Sequence, residues 1–224
     1  MSTTTTAGLE LRKKKTDWAG IASVFGIGLI VIYCLAPFYW MIVSSLRPDK
    51  EIFENSWWPR NPSLENYEAV FSAKNNFASG IINSLIVSVI VTVVALVIAT
   101  FASYALARLS FRGKGFLLLV VLATSMFPLV AIIVPLLKNF TAWGWINTYQ
   151  AMIFPDLSFS LALAVWCLTS FFRQMPVELE QSAMVDGCTP GQAFRKIILP
   201  LAAPGIFPTA IIVFIGAWNE FLVA

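Results

Sequence analysis

The polar stretch Glu178–Pro200 carries the side chains of this 224-residue chain that are spaced for chemistry, and that chemistry is docking rather than bond-making. Pro176 suits a first helical position, and Glu178 and Glu180 fall in the first turn, where the helix dipole favours negative charge. Asp186-Gly187 is expected to end that helix, with glycine supplying the left-handed residue. Thr189, Pro190 and Gln192 then spell a new start, a Thr-x-x-Gln capping box with proline in the first turn. Arg195 and Lys196 suit the late part of this second helix, and Pro200 is expected to stop it. Two short helices with a sharp turn, set between long apolar runs, present a surface to something.

Bond-making chemistry lacks its parts. The chain has no histidine, which removes Ser-His-Asp and Cys-His catalysis and the commonest metal ligand together. Cys34, Cys167 and Cys188 are far apart with no C-x-x-C spacing, against both a disulfide framework and a zinc site. No G-x-x-x-x-G-K-S/T occurs, since Gly113-Lys114 lacks the preceding glycine, so no nucleotide-phosphate loop is present.

The elements that position the polar stretch are membrane helices. Hydrophobic residues make up 58% of the chain and charged residues 12%, with a mean hydropathy of +0.77. Soluble domains run nearer a quarter charged, so the composition is that of an all-α integral membrane protein. The basic residues fall at the edges of apolar runs rather than in one stripe, so nucleic acid is not an expected partner and the lipid bilayer is. The first apolar run is too long for a secretory signal.

Residues 1–16 read as a disordered polar lead, and 17–224 as a single transmembrane domain. Spans are expected at about Trp18–Leu46, Phe77–Ala107, Gly115–Leu137, Asp156–Phe172 and Ala203–Ala224. Trp18 and Tyr39-Trp40 read as interfacial anchors of the first, and Trp57-Trp58 as an anchor or a docking surface. Residues 63–71 suit a short surface helix. Pro128 and Pro135 predict a kink in the third span, and Asp156 is placed as the N-cap of the fourth. Small residues along the second span, Ser84 to Ser103, allow close helix packing.

Orientation follows the Lys/Arg count. With the N-terminus inside, the inner segments hold Arg12 to Lys15, Arg108, Arg112, Lys114, Arg173, Arg195 and Lys196; the outer ones hold Arg47, Lys50, Arg60, Lys74 and Lys138. Ten against five puts the N-terminus and the polar stretch in the cytoplasm. No charge lies inside any expected span, Asp156 and Glu220 being placed at outer edges. Ion-coupled carriers keep such charges despite a cost of about 2.5–3.5 kcal/mol each, so transport energy is expected to arrive through the cytoplasmic surface.

The spacing Gln181-Ser182-Ala183, Gly187, Ile197, Leu199, Pro200 resembles the cytoplasmic loop of the permease subunits of bacterial ABC importers, E-A-A, three residues, G, nine residues, I-x-L-P. Gln181 and Ser182 stand where that pattern has Glu and Ala, while Glu180 keeps a carboxylate nearby on a different helical face. Asp186 and Phe194 look like the carbohydrate-importing branch. Pro37 to Met41, Ser45 to Pro48, Glu65-Asn66-Tyr67, Asn83-Ser84-Leu85, Tyr104 to Leu109 and Trp218 to Phe221 are similar to the maltose-type sugar permeases, the shorter, second one of the pair. The resemblance implies the type I ABC-importer fold and a coupling loop, residues 176–200, whose ATPase-contacting residues are Glu180, Gln181, Ser182, Ala183, Asp186, Gly187, Ile197, Leu199 and Pro200. It also implies a second homologous permease, two ATP-binding subunits that hold ATP and Mg, an external sugar-binding protein, the bacterial inner membrane, and no cofactor or enzyme activity in this chain. Such permeases have six spans, so the five found here predict one more helix in the natural protein.

A sugar site needs hydrogen-bonding side chains and an aromatic face, set among the spans.

 
Candidates are Trp218, Asn219 and Glu220 on the fifth span, Thr124 and Ser125 on the third, and Trp166, Thr169 and Ser170 on the fourth. Each has a plainer reading: serine and threonine bonded to their own helix, tryptophan as packing, Glu220 solvated or bonded to a further span. Two other functions stay open, the same architecture for a solute such as a sugar phosphate, and a non-transporting scaffold whose loop recruits a cytoplasmic partner.

Overall fold

The computed structural model describes residues 18–220 except 52, 54, 55 and 73. The polar lead 1–16 and Phe221–Ala224 lie outside the described residues, as does the Trp18 side chain. Helices α1 (Trp18–Ser45), α2 (Glu65–Phe71), α3 (Phe77–Arg108), α4 (Lys114–Ser125), α5 (Leu129–Trp143), α6 (Tyr149–Gln174), α7 (Glu178–Val185), α8 (Pro190–Ala193), α9 (Leu199–Leu201) and α10 (Ala203–Trp218) follow in order. The all-α expectation holds among the described residues. Three helices, within α1, α3 and α6, are long and apolar enough to cross a membrane, and up to five spans result if each of two bent pairs counts as one. The chain divides into two compact units, residues 1–77 and 78–224.

In the first unit, the chain after α1 is folded back onto the end of that helix. Asn66 Nδ2 donates to the carbonyl of Ser45 (3.0 Å), which the helix end leaves unsatisfied, and to that of Arg47 (2.7 Å) just beyond it. Ser63 N–H donates to the Leu46 carbonyl at 2.9 Å. Arg47, 2% exposed, lies 5.0 Å from the Trp40 ring centroid and donates to the Ser56 carbonyl. Tyr39 donates to the Trp57 carbonyl at 2.7 Å, so Tyr39-Trp40 fasten the loop, while both Trp57 and Trp58 side chains stay exposed. The Glu51 carboxylate accepts from Asn61 Nδ2 (2.8 Å) and the Arg60 N–H (3.1 Å). These bonds, Asn61 first, hold its carboxyl below the usual carboxylate range.

In the second unit, α3 and α6 run side by side in the same direction. Tyr149 donates to Asn83 Oδ1 (2.8 Å) near their starts, and Arg108 donates to the Met175 carbonyl (3.0 Å) at their ends. Helix α10 runs the other way along α6: Gly205 near its start meets Phe171, and Ala217 near its end shares a cavity with Asp156. The buried face of α3 repeats every fourth residue, Val87, Val91, Ala95, Ala99 and Ser103. Ala95, Ala99 and Ser103, the small members of this face, are fully buried, and small residues are what membrane-helix interfaces favour. Leu168 and Phe172 of α6 and Val213 of α10 complete this core.

Four boundaries differ from expectation. The third span is not kinked but broken into α4 and α5, at 86° to each other. The break is at Pro128, in an extended conformation, because a residue before proline avoids the helical region; Pro135 stays inside α5. Helix α5 also runs on to Trp143, through most of the expected loop 138–148. The fourth span starts at Tyr149, with Thr148 extended at the N-cap position, so Asp156 is not a cap but lies in the helix, 8% exposed. Pro200 does not stop its helix: a wider π turn, Phe194–Ile198, precedes it and helix resumes through Leu201. The bend falls instead at Ala202, 68° between Pro190–Leu201 and Ala203–Trp218.

Two outcomes follow. A methyl group at Gly205 would stand 2.5 Å from Phe171 Cγ. Gly205→Ala should therefore lower stability by about 1–3 kcal/mol, more than alanine's helix propensity returns. Thermal unfolding in detergent checks this, with Phe171→Leu recovering part of the loss. Because the Glu51 pKa is lowered on folding, its stabilisation is present above the ordinary value of 4.5 and is lost as pH falls through the folded value. Glu51→Gln should flatten that acid limb in a pH series of the same melts.

Candidate functional site

The elbow between α6 and α10 is built by local chemistry. Helix α7 ends at Gly187, whose φ of +89° is the left-handed conformation. The Cys188 N–H reaches the Ala183 carbonyl at 3.0 Å and the Gly187 N–H the Met184 carbonyl at 3.1 Å, which satisfies two helix-end acceptors. Two residues later Thr189 and Gln192 form the expected reciprocal box: Thr189 N–H to Gln192 Oε1 at 2.9 Å, Gln192 N–H to Thr189 Oγ1 at 3.4 Å. Pro176 lies before α7, which begins at Glu178.

The elbow is fastened to α3. Glu180 Oε1 stands 2.7 Å from Arg108 Nε as a close ion pair, with the two side chains 12% and 10% exposed. Tyr104 donates to the other carboxylate oxygen at 3.1 Å. The Tyr104 ring packs 4.5 Å from Phe194 and 6.0 Å from Phe172, centroid to centroid, closing an aromatic collar over the joint. Glu180 therefore points into the protein instead of out with the docking face. Sequence reading named Tyr104 and Phe194 only as points of resemblance and Arg108 also as an inner basic residue, and it missed their shared contact.

Of the other elbow candidates, Gln181, Ser182, Asp186, Gly187 and Pro200 are exposed, Ile197 and Leu199 are half-buried, and Ala183 is buried. Two apolar side chains that were not singled out stand at the tip, Val185 at 87% exposure and Met184 at 43%. Ile198, between two named residues, is the fully buried one.

A second region lies at the other end of the helices. Asp156 and Glu220 line one cavity of about 520 Å³ with Ser125, Ser160, Phe127 and Phe159. Phe127 and Phe159 also line a neighbouring, mostly aromatic cavity of about 520 Å³, together with Thr124, Trp143, Trp145 and Phe154. Trp218 joins Asp156 and Glu220 at a small adjoining pocket. The solute candidates thus divide. Ser125, Trp218, Glu220 and Thr124 border cavities, whereas Thr169 is 1% exposed in the helix core and Trp166 lines neither cavity. The hydroxyls of Thr124, Ser125 and Ser170 and the amide of Asn219 donate to carbonyls of their own helices, to Val121, Leu122, Trp166 and Ile215. Asp156 was read as an edge residue because its helix was started too late.

Comparison with known proteins follows the same outline. Residues 95–224 match the family described as binding-protein-dependent transport system inner membrane component. The trehalose transport system permease protein SugB of Mycobacterium tuberculosis is 41% identical over 212 residues, 95% of this chain and 75% of that protein. The trehalose/maltose transport system permease protein MalG of Thermococcus litoralis is 40% identical over 205 residues, 91% and 74% of the two chains. The diacetylchitobiose uptake system permease protein DasC of Streptomyces coelicolor is 36% identical over 207 residues, 91% and 72%.

Replacing Arg108 by Met leaves the Glu180 carboxylate without its cation and the Met175 carbonyl without its donor. The expected cost is about 3 kcal/mol, felt locally. Hydrogen exchange of the 178–201 amides should quicken in Arg108→Met, and exchange as slow as in the unmodified protein would count against the joint.

Proposed function

The chain belongs to the family of binding-protein-dependent transport system inner membrane components, and from that premise we propose that it is a sugar-importing permease subunit driven through its elbow. As a permease-family chain it is a multi-pass membrane protein and not itself an enzyme. Its similarity to permeases named for trehalose, maltose and diacetylchitobiose supports a di- or oligosaccharide as the solute.

The observation that carries the mechanism is the fastened elbow. A short helix pair with exposed small and apolar side chains at its tip is joined by Glu180 and Arg108 to the end of α3. A push on the tip is then delivered to a spanning helix instead of being absorbed by a loop. In this reading the elbow faces the cytoplasm, as the Lys/Arg count favours, and Gln181, Ser182, Asp186, Gly187 and the Val185 tip meet an ATP-binding subunit. ATP and Mg sit on two such subunits, a second homologous permease completes the conduit, and an external sugar-binding protein delivers the solute. Closing of the ATPase pair moves the elbows, and the helices rock between inward- and outward-open arrangements.

Gly187 tests the coupling. A valine there must adopt a left-handed backbone, at a cost of roughly 1–2 kcal/mol, and should distort the turn. In cells supplied with the partner subunits, Gly187→Val should abolish maltose or trehalose uptake while the chain still inserts in the membrane. Unchanged uptake would refute the coupling reading.

A further inference from the structure

The acidic cavity has a feature that packing does not explain. Asp156 is 8% exposed, and none of the hydrogen bonds found among the described residues uses its carboxylate. A carboxylate within a spanning helix is costly, and buried polar groups are normally bonded. This one borders both the cavity it shares with Glu220, Ser125 and Ser160 and the small pocket beside Trp218. It is a hydrogen-bond acceptor held ready where a ligand's donors can reach it.

We propose that this cavity is a solute subsite contributed by this chain, built for an uncharged polyhydroxylated molecule; the inference rests on the importer reading above. Vicinal hydroxyls of the solute donate to the two oxygens of Asp156, and Glu220 lines the same cavity. Phe127 and Phe159, shared with the aromatic cavity, offer flat faces to the C–H side of a sugar ring. The volume of about 520 Å³ is within the range of small-molecule sites. No lysine or arginine is among the described residues lining it, so a phosphate or sulfate would meet two carboxyl groups and no cation. The subsite therefore selects against the sugar phosphates that the sequence left open. It lies roughly 27 Å along α6 from the elbow, counting the 18 residues from Asp156 to Gln174 at 1.5 Å each.

The test uses the whole importer in proteoliposomes, with trehalose, maltose and trehalose 6-phosphate as probes. Asp156→Asn should cut uptake of the transported disaccharide at least about tenfold while ATP hydrolysis continues. A second measurement guards against an assembly defect. In a chain with its three cysteines replaced by serine, Ser160→Cys should react with a water-soluble thiol reagent, and the transported disaccharide should slow that reaction. Disaccharide uptake that Asp156→Asn leaves unchanged, or labelling that no disaccharide slows, overturns the subsite and leaves the importer reading standing. Protection by trehalose 6-phosphate or by spermidine in place of the disaccharides overturns it equally. Absence of any sugar uptake by the unmodified importer overturns the importer reading, and the subsite with it.

Discussion

The ion pair between Arg108 and Glu180 is the contact on which the second unit's architecture turns. It joins the last residue of α3 to the first turn of α7, and Arg108 also holds the final carbonyl before the elbow. Replacing such a pair by apolar side chains is often neutral for stability, so its value lies in direction. The guanidinium fixes an angle that packing alone would leave loose, while the Tyr104–Phe194 contact supplies the packing. A bundle whose helices share lipid on their outer faces has few other means of setting such an angle.

Those outer faces show how the fold is held. Helix α3 exposes Val89, Val93, Val97 and Phe101 and buries a narrow seam of smaller side chains. In water this would be an inverted protein; in a bilayer it is the expected division, because close contact and not expulsion of water draws the helices together. Ser88 and Thr169 bring hydroxyls into that seam that no partner among the described residues satisfies.

The elbow was legible because its signals are local. Gly187, Thr189 and Gln192 each act within four residues, and capping needs no knowledge of the rest of the chain. Which proline breaks a helix is not local. Pro128 breaks one, Pro135 stays inside a helix, and Pro200 follows a π turn after which the helix resumes, and the residue type alone does not distinguish the three. The partner of Glu180 was hidden by separation, since Tyr104 is 76 residues away. Asp156 was misplaced by the opposite fault: an aspartate heading an apolar run suits an N-cap, yet the helix had begun at Tyr149.

The valine at the elbow's tip carries a consequence for assembly. Val185 stands 87% exposed and Met184 beside it 43%, an apolar pair at the apex of an otherwise polar elbow. In the importer reading, covering that pair is part of what assembly with an ATP-binding subunit gains.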